Sequence, residues 1–472
     1  MKILYKIIII IIIYGLLAIP DNKVSLHIPK QELTASAKWW GNFAQNLVKF
    51  RITSTENQAY QYQKHKSLVK QHLDNLLLDL TEPDNPILDS INFHINKLSA
   101  LASLMPGKIT EYERNVARWR KLLKYQSRYW DNSSKSTQNR LFRLMIESRL
   151  AFESALIQSE KESISLSNID RDISSTKNSV SLGNIQFKAG DIIAFNSITK
   201  DETYSSFIKE LPNVYKHLGS VYIKDGVAEV VYLDVLHGLT STSIDIFINE
   251  IGPNALVLRL RDDIPNLLRN PILPAQAATT IYSMANMGTY KYDHRFDVES
   301  HNHLYDWEFI NMGFRTHNFS LDANEIIGSN YSIHVGGQNS HLNAFELELD
   351  HRFITVGEWY NTQVLYNNRL LTAATAAITN NKKSNDFLIT FKLPFYRILK
   401  AYSMLVSSLG FSPPIPDGIS AQTELIYRGL AKHQNNLLEE LTKEIAVYET
   451  NQKHRATYLK MLQKANEIML SE

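Results

Sequence analysis

The run HNHLYDWEFI, residues 301–310, sets two carboxylates, Asp306 and Glu308, on either side of Trp307, where a short extended approach breaks into a helix. The first turn of a helix favours negative charge, because its unpaired N–H groups and its dipole both point there. Just upstream, His301 and His303 would put two imidazoles on one side of an extended chain. Asp297, Glu299, Asp306 and His217 are further oxygen and nitrogen donors that could join them around a metal ion. The plainer reading is a polar loop entering a helix, and no recognised zinc spacing is present. The chain holds no cysteine, which excludes disulfides, thiolate metal ligands and a cysteine nucleophile.

These residues need elements to hold them. Residues 32–163 carry helical spacing throughout, as in Ile91, Ile95, Leu98, Ala102 and Met105, with breaks at Pro83, Pro86 and Pro106-Gly107. A helical bundle or hairpin array is expected there. Residues 164–182 are rich in Ser, Asn and Asp without periodicity and read as a linker. Residues 183–330 change to short β runs: strands on both sides of Ala189-Gly190-Asp191, and a hairpin around Asp225-Gly226 that places His217, Gly219, Val221 and Ile223 on one face. A helix with Pro274 near its start and Gly288 near its end follows. This segment is expected to be a small α+β domain around a mostly antiparallel sheet. Residues 331–472 form an extension with some strand character, and then C-terminal helices whose apolar stripe, Leu430, Leu437, Leu441 and Ile445, should pack back on the N-terminal helices.

The N-terminal twenty residues pair Lys2 and Lys6 with an apolar run from Ile7 to Ile19, the layout of a secretory signal or an uncleaved membrane anchor. Export to the periplasm or cell envelope is the expectation. The formal net charge of +2 is spread along the chain, so no basic field invites nucleic acid as a partner.

Four motifs in order, GDIIAF (190–195), KHLGSVYIKDG (216–226), YDHRFD (292–297) and LYDWEFI (304–310), resemble those of the permuted papain-like amidases and peptidases, the YiiX-like branch of the NlpC superfamily. The resemblance covers about residues 185–312, roughly a quarter of the chain. It implies a permuted papain-like fold, with His217 as the catalytic base, Asp234 as the group that orients it, and Asp306 where the family has its nucleophilic cysteine. His237, in the loop after Asp234, is a second polar group at that place. Tyr305 and Glu308 keep the flanking pattern, Trp307 replaces a small serine, and Asp191 and the Tyr292–Asp297 run become structural supports.

A thiol at a helix start beside an imidazole ionises and attacks acyl carbon. A carboxylate there keeps the charge but is a poor nucleophile toward amides, and beside His217 it tends to form an ion pair. Three readings follow. The first is a degenerate homologue whose cleft binds a peptide or another amide- or acyl-containing ligand of the cell envelope, with Tyr305, Trp307 and Glu308 as binding residues and no cofactor. The second is an active amidase, peptidase or esterase in which Asp306 and His217 act together. The third is the metal site around His301 and His303. An approach of His217 and Asp306 to within about 8 Å is the condition for either active-site reading.

Overall fold

The computed structural model describes residues 34–159, 164–168, 179–196, 215, 217–235, 237–293, 302–321, 344–380, 386–408, 415 and 421–471. The N-terminal signal or anchor expected at residues 1–20 lies outside them.

Five helices open the described chain: α1 (Thr34–Arg51), α2 (Thr55–Leu78), α3 (Pro86–Leu104), α4 (Ile109–Ser127) and α5 (Lys135–Gln158). Their boundaries follow local chemistry. Ser54 caps α2 by accepting from the Asn57 N–H, and Asn85 caps α3 just before Pro86, whose missing N–H costs nothing at a helix start. Seven strands then form the main sheet: β1 (Ile164–Asn168), β4 (Ile192–Asn196), β5 (His217–Lys224), β6 (Val227–Asp234), β7 (Gly238–Ser243), β8 (Asn254–Leu260) and β11 (Phe353–Asn361). The remaining strands pair off the main sheet: β2 (Ser179–Leu182) with β3 (Ile185–Lys188), antiparallel, and β9 (Lys291–Tyr292) with β10 (His303–Leu304), parallel. Helices α6 (Pro265–Arg269), α7 (Leu273–Met287), α8 (Asp306–Arg315) and α9 (Ala344–Leu349) lie between strands. The helices α10 (Thr362–Asn380), α11 (Asp386–Ser408), α12 (Ala421–Gln452) and α13 (Tyr458–Ser471) end the chain.

The main sheet runs β1-β11-β8-β4-β5-β6-β7, and every neighbouring pair is antiparallel. Period-two alternation divides it into two faces. Ile192, Ala194, Leu218, Leu256 and Leu258 share a core with α7 and α8. Ile193, Phe195, Val221, Ala255 and Val257 pack on the other side with Ile185, Phe187 and the helical turn bearing Phe247 and Ile248. The Asp225-Gly226 hairpin forms as expected, both residues at positive φ (52° and 78°). Helix α7 ends at Gly288 in the left-handed region.

The mixed α+β class, the antiparallel sheet and the flanking helices stand as the sequence implies. Two parts of the expected linker at 164–182 are strands: β1 pairs with β11 and β2 with β3. Strand β11 comes from beyond residue 330 yet sits inside the sheet between β8 and β1, so this strand of the extension belongs to the sheet. Polar Ser and Asn suit an edge strand, where one row of backbone groups faces outward, and that composition hides such strands among loops. The C-terminal helices do return to the N-terminal ones: Leu437, Leu441, Ile445 and Met461 join Trp39, Leu98 and Leu156 in one core.

Candidate functional site

Helix α8 is locked before it begins. The β9–β10 pairing holds the approach, with Asp293 N–H donating to the Leu304 carbonyl at 2.7 Å. Glu308 then reaches back, its Oε2 accepting from the Tyr305 backbone N–H at 3.2 Å, which satisfies one N–H at the helix entry. Phe309, Ile310 and Phe314 bury one face of α8, while Gly313 lets α7 approach: a Cβ at that position would meet Ile281 Cγ1 at 2.4 Å. The result is a fixed position for Asp306, the first residue of the helix, 4% exposed.

His217 opens β5 and is 3% exposed. Its register partner on β4 is Phe195, with the rings 5.4 Å apart. His217 Nδ1 lies 3.4 Å from Asp306 Oδ2. The two residues that the resemblance sets in an active site are therefore neighbours, at the outer edge of hydrogen-bond range and well within ion-pair range. Such a pair can hold or exchange a proton between imidazole and carboxylate.

The other site residues divide. Trp307 (3% exposed) and Tyr305 (5%) are packed in the core between the sheet and α7, which gives them packing contacts in place of an open binding face. Glu308 caps the helix. Continuing the Gly219–Tyr232 register two residues sets Asp234 beside His217, but its Oδ1 accepts from the His237 backbone N–H at 2.8 Å and faces His237 Nδ1 at 2.9 Å. The described hydrogen bonds of Asp234 thus close the β6–β7 turn. Asp191 is the structural support expected of it: Arg259 Nε and Nη2 donate to its two oxygens at 2.7 and 2.8 Å, and the Lys188 N–H donates to Oδ2. His301, Asp297 and Glu299 lie outside the described residues. Among the described residues no group of three or more His, Asp or Glu could hold a metal ion.

Two asparagines escape sequence reading. Asn196 and Asn254 are register partners at the ends of β4 and β8, the strand next to His217 and the one beyond. Asn254 Oδ1 accepts from the Asn361 N–H at 2.8 Å. Asn254 Nδ2 and Asn196 Oδ1 are buried with no hydrogen-bond partner among the described residues, one a donor and one an acceptor. Asparagine at a strand end looks like turn chemistry in sequence, so only the burial of these two side-chain atoms singles them out.

Behind the site runs a buried ionic seam that sequence reading also missed. Tyr215, two residues before His217, has the Arg149 guanidinium 4.7 Å from its ring. Arg149 pairs with Glu348 on α9, and Arg120 on α4 bridges Glu348 at 2.7 Å and Glu358 on β11 at 2.5 Å. Lys124 Nζ donates to the carbonyls of Glu348 and Asp350 at 2.6 and 2.5 Å; burial pulls its pKa down to about 7. Compared with family models, with curated proteins and with solved structures, the chain matches none of them.

Proposed function

We propose that this chain is an exported, permuted papain-like hydrolase homologue of the cell envelope that has exchanged cysteine chemistry for a binding role, and that it engages a peptide or another amide- or acyl-containing ligand. The observation that carries the reading is the 3.4 Å approach of His217 to Asp306 at a helix start, the relation a papain-like base bears to its nucleophile. Composition removes the thiolate, and the deep burial of both groups favours a retained scaffold over an attacking carboxylate. Asn254 Nδ2 and Asn196 Oδ1 supply the complementary donor and acceptor that one amide group requires. The Lys2–Pro20 segment supports export, with membrane attachment through the N-terminus where it stays uncleaved. Among the described residues no helix is long and apolar enough to cross a membrane.

The test is hydrolysis of a panel of activated acyl esters and peptide amides by the purified protein, wild type against Asp306→Cys and Asp306→Asn. Silence in wild type with turnover in Asp306→Cys is the expected result. Turnover in wild type that disappears in Asp306→Asn would replace the binding role with an aspartate-dependent hydrolase. Silence in all three, with Asp306→Cys folded and its thiol inert to an alkylating probe, would remove the papain-like reading.

A further inference from the structure

Helix α11 (Asp386–Ser408) turns an apolar stripe outward. Phe395, Ile398, Tyr402 and Leu405, spaced three and four apart, are between 42 and 64% exposed. The inner side of the helix is occupied. Ser403 is fully buried and its Oγ accepts from the Ile415 N–H at 3.0 Å, and Tyr396 has the Arg428 guanidinium of α12 5.9 Å from its ring. One face thus fixes the helix while large apolar side chains of the other meet water, the arrangement of a surface that has a partner.

The charge around the stripe is nearly all positive. Residues 382–400 hold Lys382, Lys383, Lys392, Arg397 and Lys400 against Asp386 alone, a local excess larger than the formal net charge of +2 of the whole chain. No Asp or Glu follows Asp386 before Asp417. Aromatic and aliphatic groups on one side with basic residues beside them make a helix that lies in the plane of a membrane surface, its apolar face among the acyl chains and its cations at anionic headgroups. Arg397 and Lys400 have stems long enough to carry their charges to headgroup level from the flank of the stripe. A second copy of the chain fits less well, because a two-fold contact sets the same patch against itself and brings like charges together.

We infer that α11 docks on an anionic lipid surface, burying Phe395, Ile398, Tyr402 and Leu405 in the interface with Arg397 and Lys400 beside the headgroups. The helix lies on the bilayer and is not apolar enough to cross it. This contact is separate from the ligand role of the His217–Asp306 site and from any hold supplied by residues 1–20.

The absence of natural cysteine allows a single reporter. Ile398→Cys in the full chain is labelled with an environment-sensitive fluorophore, and Glu56→Cys, exposed near the start of α2, serves as the control. Each protein is titrated with vesicles of phosphatidylcholine alone or of phosphatidylcholine mixed with phosphatidylglycerol. The expected result is a saturable blue shift of about 10 nm or more at position 398 with the anionic vesicles and none at position 56. Added Arg397→Gln and Lys400→Gln changes should weaken binding about tenfold or more, since each cation near the surface contributes roughly fivefold. Added Phe395→Ser and Leu405→Ser changes, at exposed positions that the fold tolerates, should remove the shift. The reporter reads only its own surroundings, so attachment through the N-terminus does not mimic the result. No shift with either vesicle, equal shifts with both, or an equal shift at position 56 would overturn the proposal. A shift that appears without vesicles and grows with protein concentration would overturn it in favour of a second copy.

Discussion

Arg120 on α4 and Glu358 on β11 meet at 2.5 Å with 2% of each side chain exposed, although they lie 238 positions apart. One guanidinium thereby fastens the helical part to the sheet that carries His217. Two buried charges gain little over well-packed apolar groups, but removing one strands the other.

Glu358→Leu should destabilise the protein by about 3 to 5 kcal/mol, because Arg120 would keep only Glu348 as a carboxylate partner in the seam. Urea unfolding followed by circular dichroism measures it. A loss under about 1 kcal/mol would mean that the seam contributes little to holding the two parts together.

Lys124 predicts a pH effect of definite sign. Its folded pKa, about 7, is well below the unfolded value of about 10.4, so between those values the unfolded chain binds more protons. Its contribution to stability therefore rises with pH across that window and is complete only above it. Below pH 7 both states are protonated and the full penalty stands. Lys124→Met should flatten the rise, by up to a few kcal/mol of difference between about pH 7 and 10. Urea midpoints at several pH values check this, and an unchanged slope would place the proton elsewhere.

The pair His65 and His94, with Nδ1 atoms 2.9 Å apart, predicts sensitivity at the acid end. Burial first, then His94, Lys97 and Lys64, lowers the His65 pKa to about 4. A histidine whose folded pKa is depressed contributes stability above its unfolded value of about 6.5, and that contribution is lost as pH falls through the folded value. His65→Gln should make unfolding between pH 6.5 and 4 less steep, as read by thermal melts across that range.

Gly190 sits at φ +89°, and a Cβ there would lie 2.4 Å from the Pro274 carbonyl carbon. Gly190→Ala combines a backbone conformation unfavourable to side chains with a clash against α7, the helix that supports α8. A destabilisation of at least about 1 to 3 kcal/mol is expected. Since Asp191 follows directly, fluorescence and circular dichroism should also report a disturbed Arg259 pair; a melting temperature equal to wild type would show that α7 yields easily.

By itself the sequence determined what depends on neighbouring residues: the helices read from apolar spacing, the Asp225-Gly226 hairpin, the Pro274-to-Gly288 helix and the helix start at Asp306, and its lack of cysteine excludes thiolate chemistry. These are local signals, since capping, turn conformation and face periodicity are settled within a few residues. Tertiary structure alone decided which distant pieces meet. It set β11 between β8 and β1, drew Ile164–Asn168 from an apparent linker into the sheet, and buried Arg120 against Glu358. It also brought His217 to 3.4 Å from Asp306 while turning Trp307 into the core. Strand partners and buried ion pairs are chosen by the surface each element must bury against the rest of the chain, and no short stretch of residues carries that choice.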